Sequence, residues 1–239
     1  MIEPFLRKLR VRDDVSSQEE AALRAAVGER RAVPAHRPII RAGENVREST
    51  LLLSGWVARA KDLENGERQI TEINVVGDFV DLHSFTLKTL DHDVIALTNC
   101  EIATVPHEKL EDITVTFPHL TRLLWLATNM DAAIHREWML SMGRRTALAR
   151  VAHVFCELLI RLQIAGVASE DGYDFPLTQL QLADCLGLTS VHVNRTLQEL
   201  RKRELIELRN RRLRILDAPG LQRVGQFDPG YLYLKKQPR

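Results

Sequence analysis

The segment that most constrains the fold contains two helix starts separated by a single glycine. The run PLTQLQLADCLG carries Thr178 and Gln181 at the spacing of a capping box, which favours the start of a helix. Gly187 follows, and because glycine tolerates positive φ it predicts a sharp turn. Thr189 is then placed to cap a second helix, predicted over residues 190–203.

The second predicted helix is apolar on one face and basic on the other. Val193, Leu197 and Leu200 form the apolar face. A short helix, a glycine turn and a longer basic helix make up the helix-turn-helix arrangement, whose second helix enters the DNA major groove. We therefore expect Arg195 to donate to a guanine edge and Asn194 to serve adenine similarly.

Other residues of the two helices are predicted to contact DNA as well. Exposed Val191 fits a thymine methyl group, and Ser190 and His192 lie near a helix N-terminus, where phosphate contacts are favoured. The predicted contact set in this segment is Thr178, Thr189, Ser190, Val191, His192, Asn194, Arg195 and Gln198.

A basic hairpin is predicted directly after the second helix. Residues 206–208 and 213–216 resemble two short strands around a turn, and this wing supplies Arg209, Arg211 and Arg212 to phosphates. Residues 190–214 contain eight Lys or Arg against three Glu, whereas the whole chain has a net charge of only +1. A local basic patch in a near-neutral chain indicates nucleic-acid binding. The alternative is a solvated basic helix and hairpin without a ligand.

Between about residues 31 and 117 the chain alternates short apolar runs with turn residues. Asn65-Gly66 lies between two strand-like runs and is a strong hairpin pattern. Short strands with frequent turns are typical of a sandwich or barrel. Before them, Ser17 and Glu20 have capping-box spacing and predict a short helix.

A long helix is predicted over residues 119–142, since no Gly or Pro interrupts that stretch. Its apolar stripe needs a partner surface, and a second copy of the chain is the simplest one. The alternative is that the stripe packs on the chain's own β domain. Gly143 is expected to end this helix, and another helix is predicted from Thr146 to about Gln163. The stripe consists of Leu120, Leu124, Ala127, Asp131, Ile134 and Trp138, continuing to Met142.

Composition excludes several classes of protein. Cys100, Cys156 and Cys185 lie far apart without CxxC spacing, which argues against a zinc ribbon or disulfide framework and fits a reducing cytoplasm. The N-terminus lacks the apolar core of a signal peptide. No apolar run is long enough for a transmembrane helix, so we expect a cytoplasmic protein that does not contact a membrane.

With both halves in view, the chain resembles the Crp/Fnr family of bacterial transcription regulators over nearly its whole length. PLTQLQLADCLGLTSVHVNRTLQELRKRELI is similar to the family's helix-turn-helix, and IIRAGENVRESTLLLSGWVARAKDLENGERQITEINVVGDFVDL to its cyclic-nucleotide-binding β-roll. GRRTALARVAHVFCELL resembles the helix that begins the family's DNA-binding domain.

The resemblance implies an α+β fold in three parts. These are an N-terminal antiparallel β-roll (a double-stranded β-helix or jelly roll) over residues 1–117, a dimerisation helix over 118–143 and a winged helix-turn-helix over 144–239. It also implies a homodimer, an inverted-repeat operator in double-stranded DNA, and control of transcription through RNA polymerase access. Such a protein is not an enzyme.

The departures from the family concern the effector. Asp81-Leu82 stands where cyclic-nucleotide-binding members have Gly-Glu, and Leu90-Asp91 stands where they have Arg followed by Ser or Thr. These substitutions predict no cyclic AMP binding. No cysteine precedes Cys100, which argues against an iron–sulfur cluster. No cofactor is predicted, and the effector is left unknown.

Two alternatives remain open at this point. One is a DNA-binding dimer that needs no effector. The other is a metal-binding cupin-like enzyme, for which the histidine spacing is wrong. Weak metal candidates are Asp81, His83, Asp91 and His92, whose alternative role is a hydrated acidic loop.

Overall fold

The computed structural model describes residues 2–239 and divides into two compact units. The first unit comprises the chain up to Lys61, Ile73–Ala132 and Tyr233–Arg239; the second comprises Asp62–Glu72 and Ala133–Leu232. The division therefore falls inside the long helix, and not at the predicted boundaries after residues 117 and 143.

Two short helices precede the sheets. Helix α1 spans Glu3–Arg10 and was not predicted from the sequence. Helix α2 spans Ser17–Ala26, but its capping box is formed by Ser16 and Glu19, one residue earlier than predicted. The Ser16 hydroxyl accepts from the Glu19 amide at 3.3 Å, and the Glu19 carboxylate accepts from the Ser16 amide at 2.8 Å.

Seven antiparallel strands form the predicted β-roll. They are β1 (Arg30–Val33), β2 (Pro38–Ile40), β3 (Glu48–Ser54), β4 (Val57–Asp62), β5 (Arg68–Asn74), β6 (Asp93–Ala96) and β7 (Cys100–Pro106). One sheet has the order β1-β7-β3, and the other has the order β2-β6-β4-β5. The predicted hairpin turn at Asn65-Gly66 is present, with Gly66 at φ +85°. These observations confirm the expected β-roll architecture.

Strand β3 lies at the edge of its sheet, and its middle residues are buried on both faces. Leu51 packs in a cluster with the helices, whereas Leu52 packs in a second cluster between the sheets. Successive side chains of a strand point to opposite faces, which accounts for the separation of these neighbours. The burial therefore fixes the register of β3 on both sides.

Three helices complete this part of the chain. Helix α3 spans Ser84–Leu87, α4 spans His107–Thr116 and α5 spans Pro118–Arg144. The long predicted helix is thus confirmed, and it ends at Arg144, within two residues of the predicted end at Gly143. The next helix is capped by Thr146, as predicted. Gly143 itself lies in the last turn of α5, since a single glycine costs a helix only about 1 kcal/mol.

The apolar stripe predicted as the dimer interface is buried within the chain itself. Leu120 and Leu124 belong to the core shared with α1 and α4, and Ile134 and Trp138 are 3% and 4% exposed. The Asp131 carboxylate accepts a hydrogen bond from Arg59 at 2.9 Å. The alternative interpretation, packing on the same chain, is therefore the one observed. Of the predicted set, four residues are buried in this way and two are half-buried. The buried ones are Leu120, Leu124, Ile134 and Trp138, and the half-buried ones are Ala127 and Asp131.

A different face of α5 is exposed, and we call it the exposed seam. It consists of Arg122, Trp125, Asn129, Ala132, Arg136 and Met139. These residues alternate in steps of three and four, which is the spacing of a coiled-coil interface. Trp125 and Met139 are 66% and 68% exposed.

The second unit begins with helix α6 and ends with a short 3-10 turn. Its elements are α6 (Ala147–Ala165), β8 (Gly172–Asp174), α7 (Gln179–Leu186), α8 (Ser190–Lys202), β9 (Ile206–Arg209), β10 (Arg212–Ile215), α9 (Ala218–Gly225) and the turn Pro229–Leu232. The small sheet has the order β8-β10-β9, so the segment between α6 and α7 contributes a strand. None of the described helices is long and apolar enough to cross a membrane.

A buried carboxylate fixes α6 within this unit. Glu157 is fully buried and accepts hydrogen bonds from Trp138 at 3.1 Å, Arg161 at 3.0 Å and Tyr231 at 2.7 Å. A buried charge is tolerated only when it is paired and hydrogen-bonded in this way. The network joins α5, α6 and the C-terminal turn and gives α7 and α8 a rigid support.

Candidate nucleic-acid interface

Helices α7 and α8 begin at the capping residues that the sequence predicts. The Thr178 hydroxyl accepts from the Gln181 amide at 3.2 Å, and the Gln181 side chain accepts from the Thr178 amide at 2.9 Å. Gly187 ends α7 at φ +59°, a left-handed conformation that favours glycine. The Thr189 hydroxyl then accepts from the His192 amide at 3.2 Å. Both threonine side chains therefore act first as helix caps.

Helix α8 separates a buried face from an exposed one. Val193, Leu197 and Leu200 are at most 2% exposed and pack into the second unit. The opposite face carries the predicted base-reading residues: Val191, Asn194, Arg195 and Gln198 are all exposed. His192 is exposed as well, whereas Ser190 is half-buried. An amphipathic helix of this kind anchors one side and presents the other to a partner.

Two residues on this surface differ in how they are held. Asn194 donates from its side-chain amide to Gln179 at 3.2 Å, which links the start of α7 to α8. The sequence did not single out Gln179, because only the fold brings residues fifteen positions apart together. In the described part of the chain, the Arg195 guanidinium has no hydrogen-bond or ion-pair partner. Its donors are thus free for an external acceptor.

The predicted wing is a tight hairpin of β9 and β10. Asn210 and Arg211 occupy its turn with φ of +50° and +58°. Two consecutive positive φ values are the requirement of a two-residue turn whose twist matches the strands. This turn places the arginines of the hairpin at the exposed end of the small sheet.

The cations of this surface differ in whether the chain itself supplies them with a partner. Four of them form exposed ion pairs, Arg203 with Glu199, Arg209 with Glu207, Arg212 with Asp174 and Arg214 with Asp171. Arg201 donates to the Leu208 carbonyl at 2.9 Å. Arg195, Lys202 and Arg211 have no such partner among the described residues. Exposed ion pairs contribute at most about 1 kcal/mol, so even the paired arginines remain available to phosphate.

Asp81 of the β-roll carries an inward-facing carboxylate that is hydrogen-bonded within its own chain. Asp81 is fully buried and accepts hydrogen bonds from the Thr50 amide and from the Ser84 hydroxyl, the latter at 3.2 Å. The Ser84 hydroxyl also lies 3.2 Å from His107 Nε2. Burial raises the pKa of Asp81 to about 7. This carboxylate does not point into a site for an external anion.

The weak metal candidates do not form a site in the described chain. Asp91 is hydrogen-bonded to Lys61 at 2.8 Å and to His92 at 2.9 Å, and the Lys61 hydrogen bond is the main reason that the pKa of Asp91 is lowered. The rings of His83 and His92 lie 5.4 Å apart. Asp81, however, is engaged elsewhere, and no group of three or more possible ligands is found among residues 2–239.

The three cysteines are free thiols and are buried. Burial raises the pKa of Cys156 to about 12 and raises the pKa of Cys185 and Cys100 as well. Because the thiolate is the reactive form, none of these side chains is placed to sense an oxidant at the surface. Cys185 is a core residue of α7, and its apolar neighbours in the sequence favour this buried position.

Two family models match the chain, and together they cover both functional parts. A model of the Crp-like helix-turn-helix domain matches residues 149–224. A model of the cyclic nucleotide-binding domain matches residues 30–116. The first match includes α7, α8 and the wing, and the second includes the strands of the β-roll.

Similar proteins of known name are transcriptional activators. A probable transcriptional activator of Rhizobium leguminosarum bv. viciae is 32% identical over 198 residues, covering 82% of this chain and 80% of the relative. The transcriptional activator protein FnrL of Cereibacter sphaeroides is 29% identical over 199 residues, covering 81% and 79%. The solved structure of FixK2 from Bradyrhizobium japonicum has a TM-score of 0.74 at 23% identity, covering 82% of this chain and 96% of that one.

Proposed function

Because the chain belongs to the Crp/Fnr family of DNA-binding transcription regulators, we propose that two copies of it bind one inverted repeat in double-stranded DNA. The chain is a regulator and not an enzyme, so the cupin-like alternative is set aside. Each copy places α8 in the major groove and the wing along the phosphate backbone. A two-fold dimer matches the symmetry of an inverted repeat.

The observation that carries this proposal is the free guanidinium of Arg195 on the exposed face of α8. Arginine donates two hydrogen bonds to the O6 and N7 atoms of guanine. Asn194 and Gln198 flank it on the same face and serve as further base readers, while Val191 offers a methyl contact to thymine. The buried residues on the opposite face hold the orientation of the helix.

The remaining predicted contacts position the protein without reading sequence. Arg209, Arg211 and Arg212 of the wing fit phosphate oxygens, and so do the exposed His192 and the half-buried Ser190 near the start of α8. Thr178 and Thr189 contribute mainly by fixing the two helix starts as caps. Arg211 is the best placed of the wing arginines because it has no competing carboxylate in the described chain.

The exposed seam of α5 is the surface we propose for pairing of two copies. Trp125, Ala132 and Met139 recur every seven residues and are exposed, as a helix–helix contact requires. Asn129 lies between them and suits a register-setting position, since a single polar residue in such an interface specifies alignment. This seam replaces the buried stripe that the sequence predicted.

The β-roll is proposed to sense something other than cyclic AMP, or to act only as a scaffold. Asp91 introduces a carboxylate where a nucleotide phosphate would be received, and Asp81 is committed to its own chain. A regulator that binds promoter DNA acts together with RNA polymerase, which we propose as a partner. Its place of action is then the cytoplasm, where the bacterial chromosome lies.

The proposal is tested by operator binding of the Arg195→Ala variant. Genome-wide footprinting identifies the operator, and gel-shift titrations then measure affinity for it and for single-base variants. We expect a loss of about 1–3 kcal/mol and relaxed selection at one base pair of each half-site. Arg203→Ala is the matched control, because it removes a cation from the end of α8 that is paired with Glu199.

The two variants give different patterns if α8 reads bases. The control is expected to weaken binding slightly and equally for all sequences, since it alters only the general electrostatic attraction. Unchanged base selection in Arg195→Ala would contradict the placement of α8 in the major groove.

A further inference from the structure

A cavity of about 330 Å³ lies within the first unit, between helices α3, α4 and α5. This volume is within the range of small-molecule sites in proteins, about 300–1,000 Å³. Asp81-Leu82 and Leu90-Asp91 stand where nucleotide-binding members of the family have their ligand-binding pairs. Of these four residues, only Leu82 lines the cavity. The cavity is therefore a different space from the one that those pairs would serve.

The wall of the cavity is largely apolar, and His83 is the one ionisable side chain among the described residues that line it. Leu82, Phe85, Leu110 and Leu124 line it, together with the exposed ring of Trp125. No Asp, Glu, Lys or Arg of the described chain contributes to the lining. Transfer of a charged ligand group into such a space is unfavourable unless a partner neutralises it. The lining therefore selects against carboxylates and phosphates.

The polar side chains that line the cavity are His83 and four threonines, and each threonine hydroxyl proton is already used. Each donates to a main-chain carbonyl nearby: Thr86 to His83 at 3.1 Å, Thr114 to Glu111 at 2.7 Å, Thr121 to Phe117 at 3.0 Å and Thr128 to Trp125 at 2.8 Å. A hydroxyl has one proton and two lone pairs, so these groups can offer a ligand only methyl contacts or lone pairs. A ligand that donates a hydrogen bond fits them, and one that only accepts does not.

We propose that this cavity binds a neutral, mainly apolar aromatic molecule that carries an N–H or O–H donor. Its body packs on the leucines and on Phe85 and Trp125, and its donor faces a threonine oxygen. Trp125 also belongs to the exposed seam, so an occupant touches the helix face proposed to pair two copies. Any effect of the occupant on operator affinity rests on the proposed function, whereas binding of the occupant to the cavity does not.

The probe is N-phenylnaphthylamine, a neutral amine that joins a phenyl ring to a naphthalene. It has one N–H donor and fluoresces strongly in apolar surroundings. We expect saturable binding to the full chain with one probe per chain. Anilinonaphthalenesulfonate is the matched comparison, because it has the same aromatic skeleton and one added sulfonate. Its affinity is expected to be at least about tenfold lower, since the wall contains no Lys or Arg to pair with the sulfonate.

Two threonines of α4 provide matched variants. Thr114 lines the cavity, whereas Thr116 is exposed on the same helix and does not. Thr114→Phe fills the space and is expected to abolish probe binding, while Thr116→Phe leaves it unchanged. A second pair of variants repeats the test on α3 and the loop after it. Thr86→Phe fills the cavity from its rim, whereas Thr89→Phe lies outside the cavity. Circular dichroism verifies that each variant is folded.

Several results would overturn the inference. These are no saturable probe binding, equal affinity for the sulfonate, or equal binding by both members of each folded variant pair. Probe binding that falls as sedimentation velocity shows dimers forming would mean that a second copy fills the cavity. Operator binding without the probe is measured in parallel. A chain that binds its operator but not the probe refutes only this inference, and one that binds the probe but no DNA refutes only the proposed function.

Discussion

The β-roll and the winged domain use their charged side chains in opposite ways. In the β-roll, Arg59 is 2% exposed and donates to Asp131 and to main-chain carbonyls, and Asp81 is fully buried among its own hydrogen-bond donors. In the winged domain, Arg195 and Arg211 are exposed and have no partner in the described chain. One region satisfies its charges internally, and the other leaves cations for a partner.

This difference indicates which region can receive a charged partner from outside the chain. An internally paired charge stabilises or specifies the fold, but it cannot also receive a ligand of opposite charge. An exposed, unpaired arginine adds little to stability and is best explained by an external anion. The winged domain, which matches the Crp-like helix-turn-helix model, therefore leaves cations for DNA, while Asp81 of the β-roll is hydrogen-bonded within its own chain.

The same contrast applies to the two faces of α5. Asp131 on the inward face is paired with Arg59, and the leucines beside it are buried. Trp125 and Met139 on the outward face are exposed and contact solvent in the isolated chain. If unsatisfied groups mark a partner surface, the outward face is where a second copy binds.

The largest expected effect comes from a charge in the exposed seam. In Ala132→Glu, two-fold symmetry would bring two carboxylates together at a buried contact, costing on the order of 3 kcal/mol of dimer stability. Ala132→Gln is the control, because it adds the same bulk without charge. Sedimentation velocity should show monomers of Ala132→Glu at concentrations where the wild type and the control are dimers, with operator affinity falling accordingly. Equal sedimentation of all three proteins would exclude this face as the interface.

The sequence could predict the helix but not its partner-facing side. Both faces of α5 repeat in steps of three and four, because any residue on a helix has neighbours at that spacing. Hydrophobicity favoured the face with Leu120, Leu124 and Ile134, which is the face that the chain buries itself. Which stripe is already covered depends on tertiary packing, and a single sequence does not show it.

Local patterns in the winged domain were more informative, because they depend on short-range chemistry. The Thr178 capping box, the Gly187 turn and the Thr189 cap each involve residues within a few positions, and all three are present. The contacts that were missed join distant positions, such as Asn194 with Gln179 and Arg212 with Asp174. Strand β8, which supplies Asp174, is only three residues long and lacks an apolar run.

An intermediate effect is expected from the buried carboxylate of the β-roll. The pKa of Asp81 is about 7 in the folded chain and near 3.8 when exposed, so the folded state binds the proton more tightly. The stability that Asp81 contributes is therefore complete below pH 3.8 and is lost as the pH rises through about 7. Between pH 5 and pH 8 this loss is about 2–3 kcal/mol.

Asp81→Asn removes this titration and keeps an acceptor for the Thr50 amide. Urea denaturation of both proteins from pH 5 to pH 8 should show a fall in wild-type stability relative to the variant. His107 contributes a slope of opposite sign, because burial lowers its pKa, but it is present in both proteins. Parallel stability curves would mean that Asp81 is not buried as a carboxylic acid, and the contrast between the two regions would weaken.

The smallest predicted effect distinguishes paired from unpaired cations within the wing itself. Arg211 has no partner in the described chain, whereas Arg212 is 3.2 Å from Asp174 and donates to Ser169 at the same distance. Loss of one phosphate contact lowers the slope of log affinity against log salt by about 0.9, which corresponds to about 1 kcal/mol near physiological salt. Arg211→Ala should show this full change.

Arg212→Ala should show a smaller change, because part of its charge is already neutralised by a neighbouring carboxylate. Asp174→Asn provides the complementary test: by releasing Arg212 it should strengthen operator binding and increase the salt slope. Gel-shift titrations at several salt concentrations measure all three variants against the wild type. The contrary outcome is that Arg211→Ala and Arg212→Ala lower the slope equally while Asp174→Asn has no effect. In that case an ion pair within the chain does not weaken the contact of an arginine with a DNA phosphate. The distinction between the two regions would then rest on exposure alone.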